Sequence, residues 1–118
     1  MRLDHTIVPS KDKVSSAEFF AMVMGLKYEG PMGHFAPVRI NESLTMDFDN
    51  RENFESHHYA FLVSDNEFDE IFARVRDYEI VYGSEPWTID DMQINNRRGG
   101  RGFYFKDRDG HSMEVMTK

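Results

Sequence analysis

Two stretches of this 118-residue chain open in the same way, and that repetition limits its possible folds more than any other feature. In the run 57–65, HHYAFLVSD, residues Tyr59, Phe61 and Val63 alternate with His58, Ala60 and Leu62 at the two-residue period of a strand. The run ends in residues that start helices. Near the N-terminus, Leu3, His5 and Ile7 alternate with Asp4, Thr6 and Val8, and residues 10–16 lead into another helix. Each half therefore predicts a strand bearing a histidine and then a helix.

The rest of each half continues the pattern. The first strand, 2–8, is expected to end at Pro9. Ser15 and Glu18 have capping-box spacing, and Phe19, Phe20, Met22, Val23 and Leu26 form an apolar stripe that Gly25 closes. Extended pieces follow at 26–29, 34–40 and 44–49. In the second half Ser64 or Asp65 can cap a helix in which Phe68, Ile71, Phe72 and Val75 share one face. Then come a short strand at 80–82 and a long loop, 84–101. A hairpin of 102–106 and 112–116 turns through 107–110. Loops of that length in a compact domain are uncommon and often functional.

The polar run 50–56, NRENFES, reads as a linker. The expectation is a single α+β domain, 1–118, made of two βαβββ modules, 1–49 and 57–118. Both modules end on a strand with a carboxylate on one face, Asp47 in the first and Glu114 in the second.

Composition narrows the function classes. Hydrophobic residues at 40% and aromatics at 14% suffice for a packed core and exclude wholesale disorder. A net charge of −7 repels nucleic-acid phosphates and anionic lipid, so neither is an expected partner. Without cysteine there is no disulfide, zinc finger or thiol nucleophile. No apolar run approaches the roughly 20 residues of a membrane span, and no signal-peptide core opens the chain, so a cytoplasmic protein is expected. No glycine-rich loop opens a helix after a strand, and no serine occupies a nucleophile elbow.

Three segments, LDHTIV at 3–8, HYAFLVSD at 58–65 and DRDGHSMEVM at 107–116, together with the helix spacing, resemble the vicinal oxygen chelate superfamily. That superfamily includes glyoxalase I, the bleomycin-resistance proteins and the extradiol dioxygenases. Its members usually read Asp-Pro-Asp-Gly in the last segment, where this chain has Arg108 in place of the proline. The resemblance implies paired βαβββ modules whose mixed sheet curls to a concave face holding a divalent metal. It places the ligands on His5, His58 and Glu114, and a homodimer is implied as well. Two imidazoles and a carboxylate suit six-coordinate Fe or Mn with open positions, and Ni or Zn are further candidates. In glyoxalase-like members a glutamate stands where this chain has Asp47, so Asp47 either acts through water or serves as a general base.

Taken singly, a strand histidine is more often a hydrogen-bonded structural residue than a ligand. Two histidines and a glutamate at matching places in a repeated unit favour metal binding. His57 is expected to face away from His58, and His34 and His111 lie near loops, with His111 able to support Glu114. The segment NNRRGGR at 95–101 concentrates positive charge on an acidic chain. Arg98 and Arg101, with Tyr104 and Trp87, are expected to bind a small, anionic substrate; a solvated, flexible loop whose arginines pair with Asp90, Asp91 or nearby acids explains the same residues equally well.

Two reactions suit the metal reading. A dioxygenase needs only His5, His58 and Glu114. A glyoxalase-like isomerase or lyase needs Asp47 as well. The alternative is a bleomycin-resistance-like protein that binds a drug or metabolite without catalysis.

Overall fold

Alternating burial in the short strands and one apolar face on each helix produce the architecture. The computed structural model describes residues 1–118, which divide into two compact units, Met1–Glu55 and Ser56–Lys118. The first contains β1 (His5–Ser10), α1 (Lys13–Met24), β2 (Ala36–Arg39) and β3 (Thr45–Asn50). The second contains β4 (His58–Leu62), α2 (Asp65–Asp77), β5 (Tyr82–Gly83), β6 (Gly102–Lys106) and β7 (Ser112–Met116). Each unit forms a curled mixed sheet, in the orders β1-β3-β2 and β4-β7-β6-β5. The opening strand of each unit runs parallel to the last, β1 to β3 and β4 to β7. The α+β class holds, and the arrangement is consistent with paired βαβββ modules, the first with one strand fewer than the second.

Helix α2 begins as its sequence indicates. The Ser64 hydroxyl accepts from the Glu67 N–H, and the Glu67 carboxylate accepts from the Ser64 N–H, closing a capping box. Asp65 and Glu67 in the first turn and Arg74 and Arg76 in the last complement the helix dipole. The buried face is Phe68, Ile71 and Val75. It packs into an aromatic cluster in which Phe68 meets Phe103 edge-on at 5.4 Å and Phe72 meets Tyr82 at 5.1 Å. Each fully buried phenylalanine contributes about 1.5–3 kcal/mol.

The first unit departs from its sequence reading in three places. Helix α1 is capped by Asp12, whose carboxylate accepts from the Ser15 N–H at 3.2 Å. Ser15 and Glu18 therefore lie inside the helix, and the buried face includes Ser16 and Ala17 with Phe20, Ala21 and Val23. Gly25 ends the helix as expected, in the left-handed conformation at φ 71°. Strand β1 runs past Pro9 to Ser10. A proline is tolerated there because β1 is the outer strand of its sheet and can lack a donor on its open side. Residues 26–29 alternate in burial as a strand would, yet no ladder forms there, so the first sheet has three strands.

Strand parity gives each sheet a packed face and an open one. In the first unit Val8, Val38, Met46 and Phe48 are buried beneath α1, with Phe20 and Phe48 5.7 Å apart. In the second, Phe103, Phe105, Met113 and Val115 are buried. The opposite faces carry His5 with Asp47, and His58 with Glu114. No helix is long and apolar enough to cross a membrane.

Candidate metal and substrate site

The parallel pairing of β4 with β7 sets His58 opposite Ser112 and Ala60 opposite Glu114, so the histidine and the glutamate lie two positions apart on one face. Their side chains meet, His58 Nε2 to Glu114 Oε1 at 3.0 Å. The glutamate side chain is mostly covered and the imidazole is about half exposed. On the next strand Tyr104 stands directly opposite Glu114, and its ring meets the His58 imidazole edge-on at 5.9 Å.

The Tyr104 phenol is 2% exposed and accepts a short hydrogen bond from the Arg97 guanidinium. Burial raises the phenol pKa, the Arg97 hydrogen bond opposes that rise, and the Glu114 charge adds to it. Arg97 also pairs with Glu85 and lies 5.6 Å over the Tyr104 ring. A cavity of about 280 Å³ opens beside these groups, lined by Asn95, Arg97, Arg98, Arg101, Tyr104 and Glu114 among others. It brings together four groups that the sequence proposes and adds Arg97, which spacing did not separate from its neighbours.

The three arginines differ in their surroundings. Arg101 bridges Asp69 at 2.8 Å and Asp65 at 3.0 Å and lies 4.3 Å over the Phe68 ring, so much of its charge is committed to α2. Hydrogen bonds to Asp69 and then Asp65 raise its already high pKa. Arg98 is exposed, at φ 56° in a short 3-10 turn, and is free of the ion pairs that hold Arg97 and Arg101. Asp91, one of the acids expected to pair with them, instead accepts from the Ser84 and Gln93 backbones and the Ser84 hydroxyl, which lowers its pKa. Trp87 is 80% exposed and lines a different cavity of about 400 Å³ with Val81, Ile89 and Lys106. That cavity shares no residue with the one beside Glu114.

The first unit repeats the register. His5 pairs with Thr45 and Ile7 with Asp47, the same two-position offset that relates His58 to Glu114. Here the histidine bonds its chain neighbour instead, Nδ1 to Asp4 Oδ2 at 2.9 Å. That bond raises the His5 pKa, and the charges of Asp4 and Asp47 act in the same direction. His5 and Asp47 line a cavity of about 510 Å³ that also includes Lys27, Met32, Phe35 and Arg39.

The remaining histidines serve other contacts. His34 approaches Asp49 at 3.4 Å. His57 Nδ1 pairs with the Tyr59 hydroxyl at 2.9 Å, and its backbone N–H donates to His111 Nδ1, also at 2.9 Å. His111 is fully buried and precedes β7 on the core side, away from Glu114. With Asp107 and Asp109 it offers three potential ligand atoms within 4.8 Å of one another. Asp107 Oδ1 accepts from the Asp109 and His111 N–H groups, an arrangement that holds the β6–β7 turn.

Comparison with known proteins gives the family. The chain matches the structure of oxidase ChaP-H2 with a TM-score of 0.94 and 40% identity, covering 100% of this chain and 94% of that one. Oxidase ChaP-H1 matches at the same identity and TM-score over 100% and 96%. A glyoxalase/dioxygenase from Nostoc punctiforme shares the fold at TM-score 0.72 and 19% identity, over 98% and 89%. The chain belongs to the family of oxidases ChaP-H1 and ChaP-H2 and has the vicinal oxygen chelate fold. No sequence-family profile matches the chain, and no curated protein matches its sequence. In both units the open sheet face sets a histidine two register positions from a carboxylate, His5 with Asp47 and His58 with Glu114.

Proposed function

We propose that this chain is a metal-dependent enzyme acting on a small anionic molecule, with His5, His58 and Glu114 holding a divalent Fe, Mn, Ni or Zn ion. The observation that carries the reading is the 3.0 Å approach of His58 Nε2 to Glu114 Oε1 on an open sheet face beside a cationic cavity. An imidazole nitrogen and a carboxylate oxygen so placed fit the donor set of a facial two-histidine, one-carboxylate centre. When bound, the ion would chelate two substrate oxygens and act as a Lewis acid toward an enolate- or catecholate-like anion. Arg98, free of competing acids, attracts the substrate's negative charge, while Arg101 and Tyr104 shape the cavity wall. Asp47 offers a carboxylate that can take a proton from the substrate. The 40% identity to two proteins described as oxidases favours redox chemistry over isomerisation.

Elemental analysis after anaerobic reconstitution tests this. About one ion per chain should be retained by the wild type and lost from His58→Ala and Glu114→Ala, with circular dichroism unchanged. Equal metal content in all three proteins would sink the assignment. A second reading, a binder without catalysis, draws on exposed Trp87 and its own cavity. It gains if ligands quench Trp87 fluorescence in metal-free protein.

A further inference from the structure

A series of neighbouring side chains leads from the sheet face into the long loop: His58 bonds Glu114, Glu114 stands across the ladder from Tyr104, and Tyr104 bonds Arg97, which pairs with Glu85. Both ends of the loop segment are fixed. The Arg97 N–H donates to Asn95 Oδ1 at 3.2 Å, and the Asn95 amide donates to the Ser84 carbonyl at 2.9 Å. Asn95 and Gly102 also exchange backbone hydrogen bonds at 2.8 and 3.0 Å, which ties the loop to the start of β6. The guanidinium is placed by Glu85 on one side and by the Tyr104 ring and hydroxyl on the other.

The chemistry of the groups fixes the direction of the series. A guanidinium only donates, so the phenol oxygen accepts from Arg97 and keeps its own proton for another acceptor. Glu114 stands directly across the ladder from Tyr104, so the two side chains share one sheet face, and its carboxylate is the nearby acceptor on that face. We propose that Arg97 is a positioning residue: anchored by Glu85, it aims the Tyr104 hydroxyl at Glu114 and so holds that carboxylate in the orientation that faces His58. The inference rests on the metal reading above for its functional meaning, while the positioning itself is a property of the protein without metal. The bland explanation is that Arg97 and Glu85 form a partly exposed ion pair that only steadies the loop, and such pairs contribute little.

Arg97→Gln, Arg97→Lys and Tyr104→Phe separate the two. In metal-free protein at fixed pH, the His58 imidazole ¹⁵N resonances report its contact with Glu114. They should move in Arg97→Gln and in Tyr104→Phe, and the double variant should move them no further than Tyr104→Phe does. Mn(II) affinity, followed by electron paramagnetic resonance, should fall about 10–100-fold in both single variants, the usual effect of losing a group that orients a ligand. Lysine keeps the charge but cannot fork between Glu85 and Tyr104, so Arg97→Lys should lose affinity too. Full affinity in Arg97→Lys would mean that charge alone matters and would overturn the proposal. Unmoved His58 resonances in Arg97→Gln would overturn it as well. If the wild type binds no Mn(II), the metal reading fails, and the resonances alone decide whether Arg97 positions Glu114.

Discussion

Asp107 shows how one side chain can serve the fold and also weaken it. One of its oxygens accepts from the Asp109 and His111 N–H groups, both at 2.9 Å, and the other is buried without a partner within the chain. Burial pushes its carboxyl above the unfolded value of 3.8. A group raised in this way favours the folded state fully below the unfolded pKa, and that contribution is lost as pH rises through the folded pKa. Asp107→Asn keeps the accepting oxygen and removes the charge. Its stability relative to wild type should therefore improve steadily from about pH 4 toward neutrality, as measured by urea unfolding at a series of pH values. Asp107→Ala leaves two turn N–H groups without their acceptor and should cost roughly 1–3 kcal/mol. A flat difference between Asn and wild type across that range would show that the carboxyl is not perturbed by burial. At this scale parity put His58 and Glu114 on one sheet face, because a strand leaves its residues only two faces to choose from; their proposed roles came from the family resemblance, and parity alone supported Tyr104 only weakly. Arg97, Arg98 and Arg101 were not separable. A loop has no period, and only the positions of Glu85, Asp65 and Asp69 decide which arginine goes where.

At the scale of elements, the helix starts make the same point. Ser64 and Glu67 form the box their spacing suggests, whereas Ser15 and Glu18 have that spacing and lie within a helix already begun at Asp12. Local spacing is ambiguous when a better cap stands three residues upstream. Asp12→Ala should accordingly cost about 1 kcal/mol in thermal or urea unfolding, and Ser15→Ala much less. Residues 26–29 failed as a strand for a different reason, since alternation selects a face but supplies no hydrogen-bonding neighbour. The long loop depends on close backbone approach. A Cβ on Gly83 would stand 2.6 Å from the Ile89 Cα, in a stretch already pinned by Asp91. Gly83→Ala should displace 84–91 and leave β6 and β7 paired, which amide hydrogen exchange can resolve as faster exchange confined to the loop.

For the whole molecule the sign of charge depends on distance. The chain carries −7, yet the cavity beside Glu114 is lined by three arginines and Lys118. An anionic ligand therefore approaches against repulsion and is attracted only at close range. Raising salt from about 10 mM to physiological strength shortens the Debye length from about 30 Å to about 8 Å. Stopped-flow association of an anionic ligand should speed up over that range, with dissociation little changed. Slower association would show that the local field already dominates at long range.

The matched registers of the two sheets bear on how such a chain can change. Two copies of a histidine-and-carboxylate strand pair divide the work: one copy can keep its donors in contact while the other keeps its histidine and varies around it. The two halves differ in this way. One retains a glutamate in contact with its histidine, and the other has a shorter aspartate and a histidine turned to its neighbour Asp4. New substrates would then be reached by editing the looser half, whose 510 Å³ cavity is the roomier of the two that contain a proposed ligand.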